Sequence, residues 1–158
     1  MSVRLNLFGS EIAGKAMKGI NTASMAVINS GLLPKATIDL VLLRASQING
    51  CGFCTDIHSK DLAHAGEDAA RVNLVAVWRE ATVFTEAERA ALEVAEQGTR
   101  IADAAGGVPD DVWTNAAKHY DEEQLAALTC LISLINASNR LGVITGQPGG
   151  NYQPGQFG

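Results

Sequence analysis

Through most of this chain apolar residues recur at the spacing of a helix face, and the alternating, β-branched runs that mark strands are missing. That pattern confines the fold to helices packed on helices. The segment 34–48 is the strongest instance. Ile38, Val41, Leu42, Ala45 and Ile48 share one face, and Leu40 and Leu43 widen it beyond the stripe of a surface helix, so a central helix is expected there. A small apolar helix over roughly Ile20–Ser30 precedes it, broken by Gly31 and Pro34.

Asn49-Gly50 interrupts the central helix, and a third is expected from about Cys51 to Ala65, where Gly66 supplies a stop. A fourth covers Glu67 to Trp78. Thr85 and Glu88 have capping-box spacing and open a helix running to about Ala105, before Gly106-Gly107. Pro109 suits the first turn of a short helix ending before Asp121. Asp121 and Gln124 form a second cap for a last helix over Glu122–Ile144, with core positions Leu125, Leu128, Leu131, Ile132 and Ile135. The expected organisation is one all-α domain over residues 1–145, followed by a Gly/Pro-rich arm over 146–158 that is ordered only where Tyr152 or Phe157 docks.

Of the 158 residues 47% are hydrophobic and 18% charged, enough apolar material for one buried core. Twelve Lys and Arg against 17 Asp and Glu leave a net charge of −5, which offers no basic field to a phosphate backbone. Nucleic acid is therefore not an expected partner. The first residues lead into no apolar leader and the stretch Leu125–Ile135 is too short to span a bilayer, so a cytoplasmic protein without membrane association is expected. In that compartment a Cys-x-x-Cys pair serves chemistry or metal binding more often than it serves as a staple.

Cys51-Gly52-Phe53-Cys54-Thr55-Asp56-Ile57-His58 carries the chemical information. At about 100° per residue, Cys51, Cys54 and His58 fall within about 60° of one helix face. His58 follows Cys54 at the spacing where helical side chains meet, so it is placed to exchange a proton with that thiol. Cys51 lies in or beside the first turn, where free N–H groups and the helix dipole favour a thiolate. After one sulfur attacks a peroxide oxygen or a disulfide, the other is near enough to close an intramolecular disulfide. Such a cycle needs outside electrons.

Redox work, a metal site and an inert pair are the three readings of these cysteines. Zinc would need a fourth ligand from His64, Asp39 or His119, and none forms a second recognisable knuckle. Three cysteines in one chain exclude a cluster held by four local thiolates. His64 points about 120° away from His58, toward solvent. His119 is accounted for by a helix C-terminal contact, and Cys130, among Leu128, Leu131 and Ile132, by burial as a small hydrophobe. Asn49 reads as turn support. Asp39, near the start of the preceding helix, is either a helix-terminal carboxylate or the acceptor that orients His58.

The stretch from Asp39 to His58 closely resembles the core motif of the AhpD-like alkylhydroperoxidases of the carboxymuconolactone decarboxylase superfamily. Trp78-Arg79-Glu80, Phe84-Thr85, Glu88–Leu92 and Ile135–Leu141 are similar to later landmarks of that family, and the likeness extends from about Leu33 to Val143. The resemblance implies an all-helical fold with the cysteine pair at a helix N-terminus, assembled as a homo-oligomer, often a trimer or hexamer. It implies hydroperoxide reduction with no cofactor or metal, and recycling by an external thiol or lipoyl-type reductant. Carried over by position, Cys54 becomes the attacking cysteine, Cys51 the resolving one and His58 the relay base. Asp39 falls where the family has a glutamate, one methylene shorter. Two alternatives stay open: a dithiol–disulfide reductase or electron carrier for lipoyl or protein thiols, and a non-catalytic oligomeric redox switch. Ring-lactone decarboxylation is disfavoured, because that branch does not depend on the cysteine pair.

Overall fold

The computed structural model describes residues 2–156, and seven α-helices account for most of them. They are α1 (Glu11–Ile28), α2 (Lys35–Ile48), α3 (Gly52–His64), α4 (Ala69–Leu74), α5 (Glu86–Thr99), α6 (Asp110–Ala116) and α7 (Glu122–Thr145). Short 3-10 turns lie at Leu7–Gly9 and Val75–Val77. Among the described residues there is no sheet.

The central position of α2 follows from its sequence. Thr37 through Ser46 are all buried, so the helix is enclosed on every side. One side, with Ile38, Val41, Leu42 and Ala45, joins Leu128, Leu131 and residues of α5 in the larger core. Leu40 and Leu43 pack the other way, against Leu62, Trp78, Phe84 and Leu92. The doubled apolar face therefore reflects two cores flanking one helix.

Both capping boxes form. The Thr85 hydroxyl accepts from the Glu88 N–H while Glu88 accepts from the Thr85 N–H at 2.8 Å, and Asp121 with Gln124 repeats the arrangement at the start of α7. Gly146, in the left-handed region at φ 71°, ends α7.

Several boundaries differ from expectation, among them the helix expected over Glu67–Trp78, which is α-helical only over Ala69–Leu74 before the 3-10 turn at Val75–Val77. α1 begins at Glu11, well before Ile20, because Ser10 caps it and a Glu11–Lys15 ion pair at 2.7 Å supports its first turns. No residue of α1 is buried, so its first half shows no core-facing period. α5 stops at Thr99: Arg100 is its C-cap and Ile101 faces solvent. Pro109 is the N-cap of α6 and stands just outside the helix.

α7 spans 24 residues, and its most apolar window has a mean hydropathy of 1.4, sufficient in length and composition to cross a bilayer. In this fold it is a core helix, packed against α1, α2, α3 and α5 and carrying the buried amides Asn136 and Asn139. Those amides are tied to the turn before α3. Asn49 Nδ2 donates to Asn136 Oδ1 and Asn139 Oδ1, both at 2.9 Å, and Asn139 Nδ2 donates to Ser46 Oγ at 3.1 Å. Asn136 Nδ2 also donates to Thr99 Oγ1 and to the Ile132 carbonyl. Turn support by Asn49 thus extends to α7. Asn49→Ala leaves Asn139 Oδ1 without a donor and Asn136 Oδ1 with Arg140 alone, and is expected to cost about 1–3 kcal/mol, read as a lower urea midpoint at unchanged slope.

Candidate functional site

The turn from α2 to α3 sets the first cysteine. Gly50 takes φ 65°, the Cys51 N–H returns to the Ser46 carbonyl at 3.0 Å, and Cys51 becomes the N-cap of α3. Its sulfur accepts from the Cys54 N–H at 3.3 Å, where a serine or aspartate oxygen commonly sits. Cys51 and Cys54 are joined as a disulfide with their Cα atoms 5.4 Å apart, inside the usual range for such a bridge. Both residues are buried, at 1% and 5% exposure.

Gly142 makes room for this pair. A methyl group on it would approach Cys51 Sγ to 2.9 Å and Cys54 Sγ to 3.8 Å, so a larger residue at that turn of α7 would push into the sulfurs. The sequence reading did not single out Gly142, although an isolated glycine inside a strongly apolar helix signals close approach.

Cys54 and His58 line one cavity of about 320 Å³, floored by Leu42, Ile57 and Ile135 and roofed by α1. Cys51 is not among its lining residues, so the two sulfurs are unequally placed toward whatever enters. Burial, with a further push from the charge of Lys35, lowers the His58 imidazole from its ordinary 6.5 to about 4. His58 is therefore neutral at pH 7, the state in which it can take a proton from a thiol.

Asp39 is buried, and its Oδ2 accepts from Lys35 Nζ at 2.8 Å. Burial raises its carboxyl above the usual range, the Lys35 hydrogen bond and charge oppose that rise, and Asp61 adds to it. No direct hydrogen bond links Asp39 to His58 among the described residues. Lys35, not noticed in the sequence, is the charge that faces both groups; its signal was the four-residue spacing to Asp39.

The arm docks on α3 just beyond the motif. Asp56 Oδ2 accepts from the N–H groups of Gly150 at 2.7 Å and Tyr152 at 3.1 Å, and Lys60 Nζ donates to the Tyr152 carbonyl at 2.9 Å. The Tyr152 hydroxyl donates to Asp61 Oδ1 at 2.8 Å, and the residue is buried. Phe157, the other anticipated anchor, lies outside the described residues.

His64 and His119 are both exposed, and neither lines the cavity. Cys130 is a correction: it is exposed and free. The core neighbours Leu128, Leu131 and Ile132 cluster on one side of α7, and at about 100° per residue Cys130 falls on the other. Trp78 and Arg79 pack within the chain, with the Arg79 guanidinium 4.4 Å from the Trp78 ring centroid and 2.8 Å from Glu96. Arg140 makes no ion pair among the described residues; it donates to the Asn136 carbonyl and side chain at 3.2 Å.

An all-helical fold with a disulfide-forming Cys-x-x-Cys at a helix start, opening on a cavity beside a neutral histidine, defines a thiol–disulfide redox protein in class. The chain belongs to the carboxymuconolactone decarboxylase family, whose model matches residues 14–97, and within it to the AhpD-like group. It is 35% identical to the uncharacterized protein YdfG of Bacillus subtilis over 146 residues, 92% of this chain and 96% of that one. A crystal structure from Agrobacterium tumefaciens, of a protein of unknown function put forward as an antioxidant defence protein AhpD, superposes with a TM-score of 0.87. It is 36% identical, and the match covers 96% of this chain and 100% of that one. The alkyl hydroperoxide reductase AhpD of Methylocella silvestris is 52% identical over 42 residues, 27% of this chain and 24% of its own.

Proposed function

We propose that this chain is a thiol-dependent peroxidase that reduces hydroperoxides through a Cys51/Cys54 dithiol–disulfide cycle. The observation that carries the reading is the cavity shared by Cys54 and His58, with Cys51 bonded to Cys54 from outside its lining. Neutral His58 takes the Cys54 proton. The thiolate attacks the terminal peroxide oxygen, the O–O bond breaks, and the departing alkoxide collects the proton as an alcohol. Cys54 is left as a sulfenic acid. The Cys51 thiol attacks that sulfur, releasing water and forming the disulfide, and an external dithiol returns both sulfurs to thiols as it is oxidised in turn. Asp39, through a water, is the group assigned to orient His58.

The AhpD name of two relatives supports this reading, as does the apolar lining of the cavity. The external donor is a lipoyl-type or protein dithiol, in a cytoplasmic setting. The exposed apolar residues Phe8, Ile12 and Met25 on and beside α1, and Ile144 at the end of α7, support assembly as a homo-oligomer, a trimer or hexamer.

Stopped-flow mixing of the reduced protein with an organic hydroperoxide is expected to consume both thiols and release one equivalent of alcohol per disulfide. Oxidised lipoamide at the same concentration should oxidise the pair more slowly. Fast exchange with lipoamide and none with peroxide would make the protein a dithiol carrier instead.

A further inference from the structure

The two faces of α3 border different spaces. Phe53, Cys54, Ile57 and His58 line the cavity beneath α1. Gly52, Thr55, Asp56 and Ser59 fall on the opposite face at about 100° per residue, and they border an open recess of about 540 Å³ that Gly149 and Gly150 of the arm wall off on another side. Cys51 stands between Gly50 and Gly52, both of which border the recess, yet it is only 1% exposed and lines neither space. α7 covers its sulfur from one side at Gly142, and the arm crosses the backbone next to it at Gly52.

That crossing is close. A methyl group on Gly149 would collide with the Gly52 carbonyl and stand 3.2 Å from Asp56 Cβ, so position 149 must be glycine while the arm is down. Beyond it, α3 grips the arm by its main chain. Asp56 accepts from the N–H groups of Gly150 and Tyr152, and Lys60, paired with Asp56 at 2.8 Å, donates to the Gly150 and Tyr152 carbonyls at 3.2 and 2.9 Å. From Gln147 to Gln156 only Tyr152 is buried. One aromatic anchor and a few hydrogen bonds near the surface make a contact set that opens locally while the core stays folded. Gln147, by contrast, is tied to Gly142, Leu5 and Thr145, which places the hinge at Pro148 and Gly149.

We propose that residues 148–152 form a strap closing the Cys51 end of the disulfide, and that a protein dithiol reduces the pair only when the strap lifts from α3. The strap rests on the dithiol–disulfide cycle proposed above and governs its return half. A cavity of about 320 Å³ beneath α1 admits a small thiol at Cys54 but not the surface of a protein, so a bulky donor must come from the other end. With the strap up, a donor thiolate attacks Cys51 Sγ, the S–S bond breaks, and Cys54 leaves as a thiolate into the cavity it shares with His58. The donor's second thiol then attacks the mixed disulfide and frees Cys51. Two electrons and two protons have passed to the pair, and the donor ends as a disulfide.

Gly149→Ala and, separately, Asp56→Ala test the strap. In both oxidised variants the Gly150 and Tyr152 amides are expected to lose protection from hydrogen exchange, while α2 and α7 keep theirs. Reduction of the disulfide by reduced thioredoxin should rise about tenfold or more over the parent chain, in proportion to the open fraction, and reduction by dithiothreitol by less than about twofold. Oxidation of the reduced variants by cumene hydroperoxide should stay within about twofold of the parent, because the face of α3 that carries Cys54 and His58 is untouched. Thioredoxin rates that do not rise once the two amides exchange freely overturn the strap, as does an equal rise with both reductants. Amides that stay protected in both variants, or that lose protection only together with α2 and α7, overturn it too. These outcomes leave the peroxidase reading intact. Should no hydroperoxide oxidise the pair while thioredoxin still responds to both substitutions, the peroxidase reading falls and the strap stands.

Discussion

Cys54→Ser is expected to lower hydroperoxide turnover about a thousandfold or more while leaving the helical fold in place. The hydroxyl occupies nearly the same volume beneath Gly142, but at neutral pH it cannot supply the anion that attacks a peroxide oxygen. Cys51→Ser should behave differently. Serine keeps an acceptor at the N-cap of α3, where Cys51 Sγ now receives the Cys54 N–H, so the helix start survives. That variant should release one equivalent of alcohol and then stop, with Cys54 trapped as a sulfenic acid detectable by dimedone labelling and mass spectrometry. The contrast follows from the placement of the sulfurs: the dipole of α3 acts on Cys51, whereas the cavity and the His58 base serve Cys54. Full turnover by Cys54→Ser would remove the assigned nucleophile, and a burst from Cys54→Ser but not from Cys51→Ser would reverse the two roles.

What could be read in the chain beforehand was whatever repeats along one helix. The enclosed character of α2, the caps of α5 and α7 and the common face of Cys51, Cys54 and His58 are all local properties, set by spacing within about two turns. What escaped was set between helices. Gly142 matters because α7 crosses the start of α3, and nothing near position 142 refers to position 51. Asn136 and Asn139 lie within the Ile135–Leu141 landmark, but the donor they share, Asn49, is some ninety residues away in the chain. The early half of α1 was missed for another reason: it buries nothing, and a helix that packs weakly leaves no apolar stripe in the sequence. Cys130 was within reach of helical phase alone. Its three apolar neighbours point one way on α7 while it points the other, so proximity in sequence is not proximity in space.

Replacing Glu96 should produce the largest loss of stability in the chain. Its carboxylate receives Arg44 Nη2 at 2.7 Å and Trp78 Nε1 at 3.1 Å, and it pairs with Arg79 at 2.8 Å, so donors from two segments, α2 and the Trp78-Arg79 turn, meet at one side chain. Glu96→Ala leaves the buried Arg44 guanidinium without its countercharge, and the expected cost is about 3–5 kcal/mol. The pH dependence separates this site from His58. Burial opposes ionisation of Glu96, but the Arg44 and Trp78 hydrogen bonds, with the Arg44 charge and Arg79, outweigh it and bring the carboxyl from 4.5 to about 2. The stability it contributes is therefore present above pH 4.5 and is lost as pH falls toward about 2, a linkage of about 3 kcal/mol. His58, held neutral down to about 4 in the folded state, withdraws its own contribution earlier, as pH falls from 6.5. Glu96→Gln, which retains an acceptor but cannot titrate, should flatten only the lower of these two windows in urea melts taken across pH. A stability curve unchanged by Glu96→Gln between pH 4.5 and 2 would mean that the three donors are held by something other than this carboxylate.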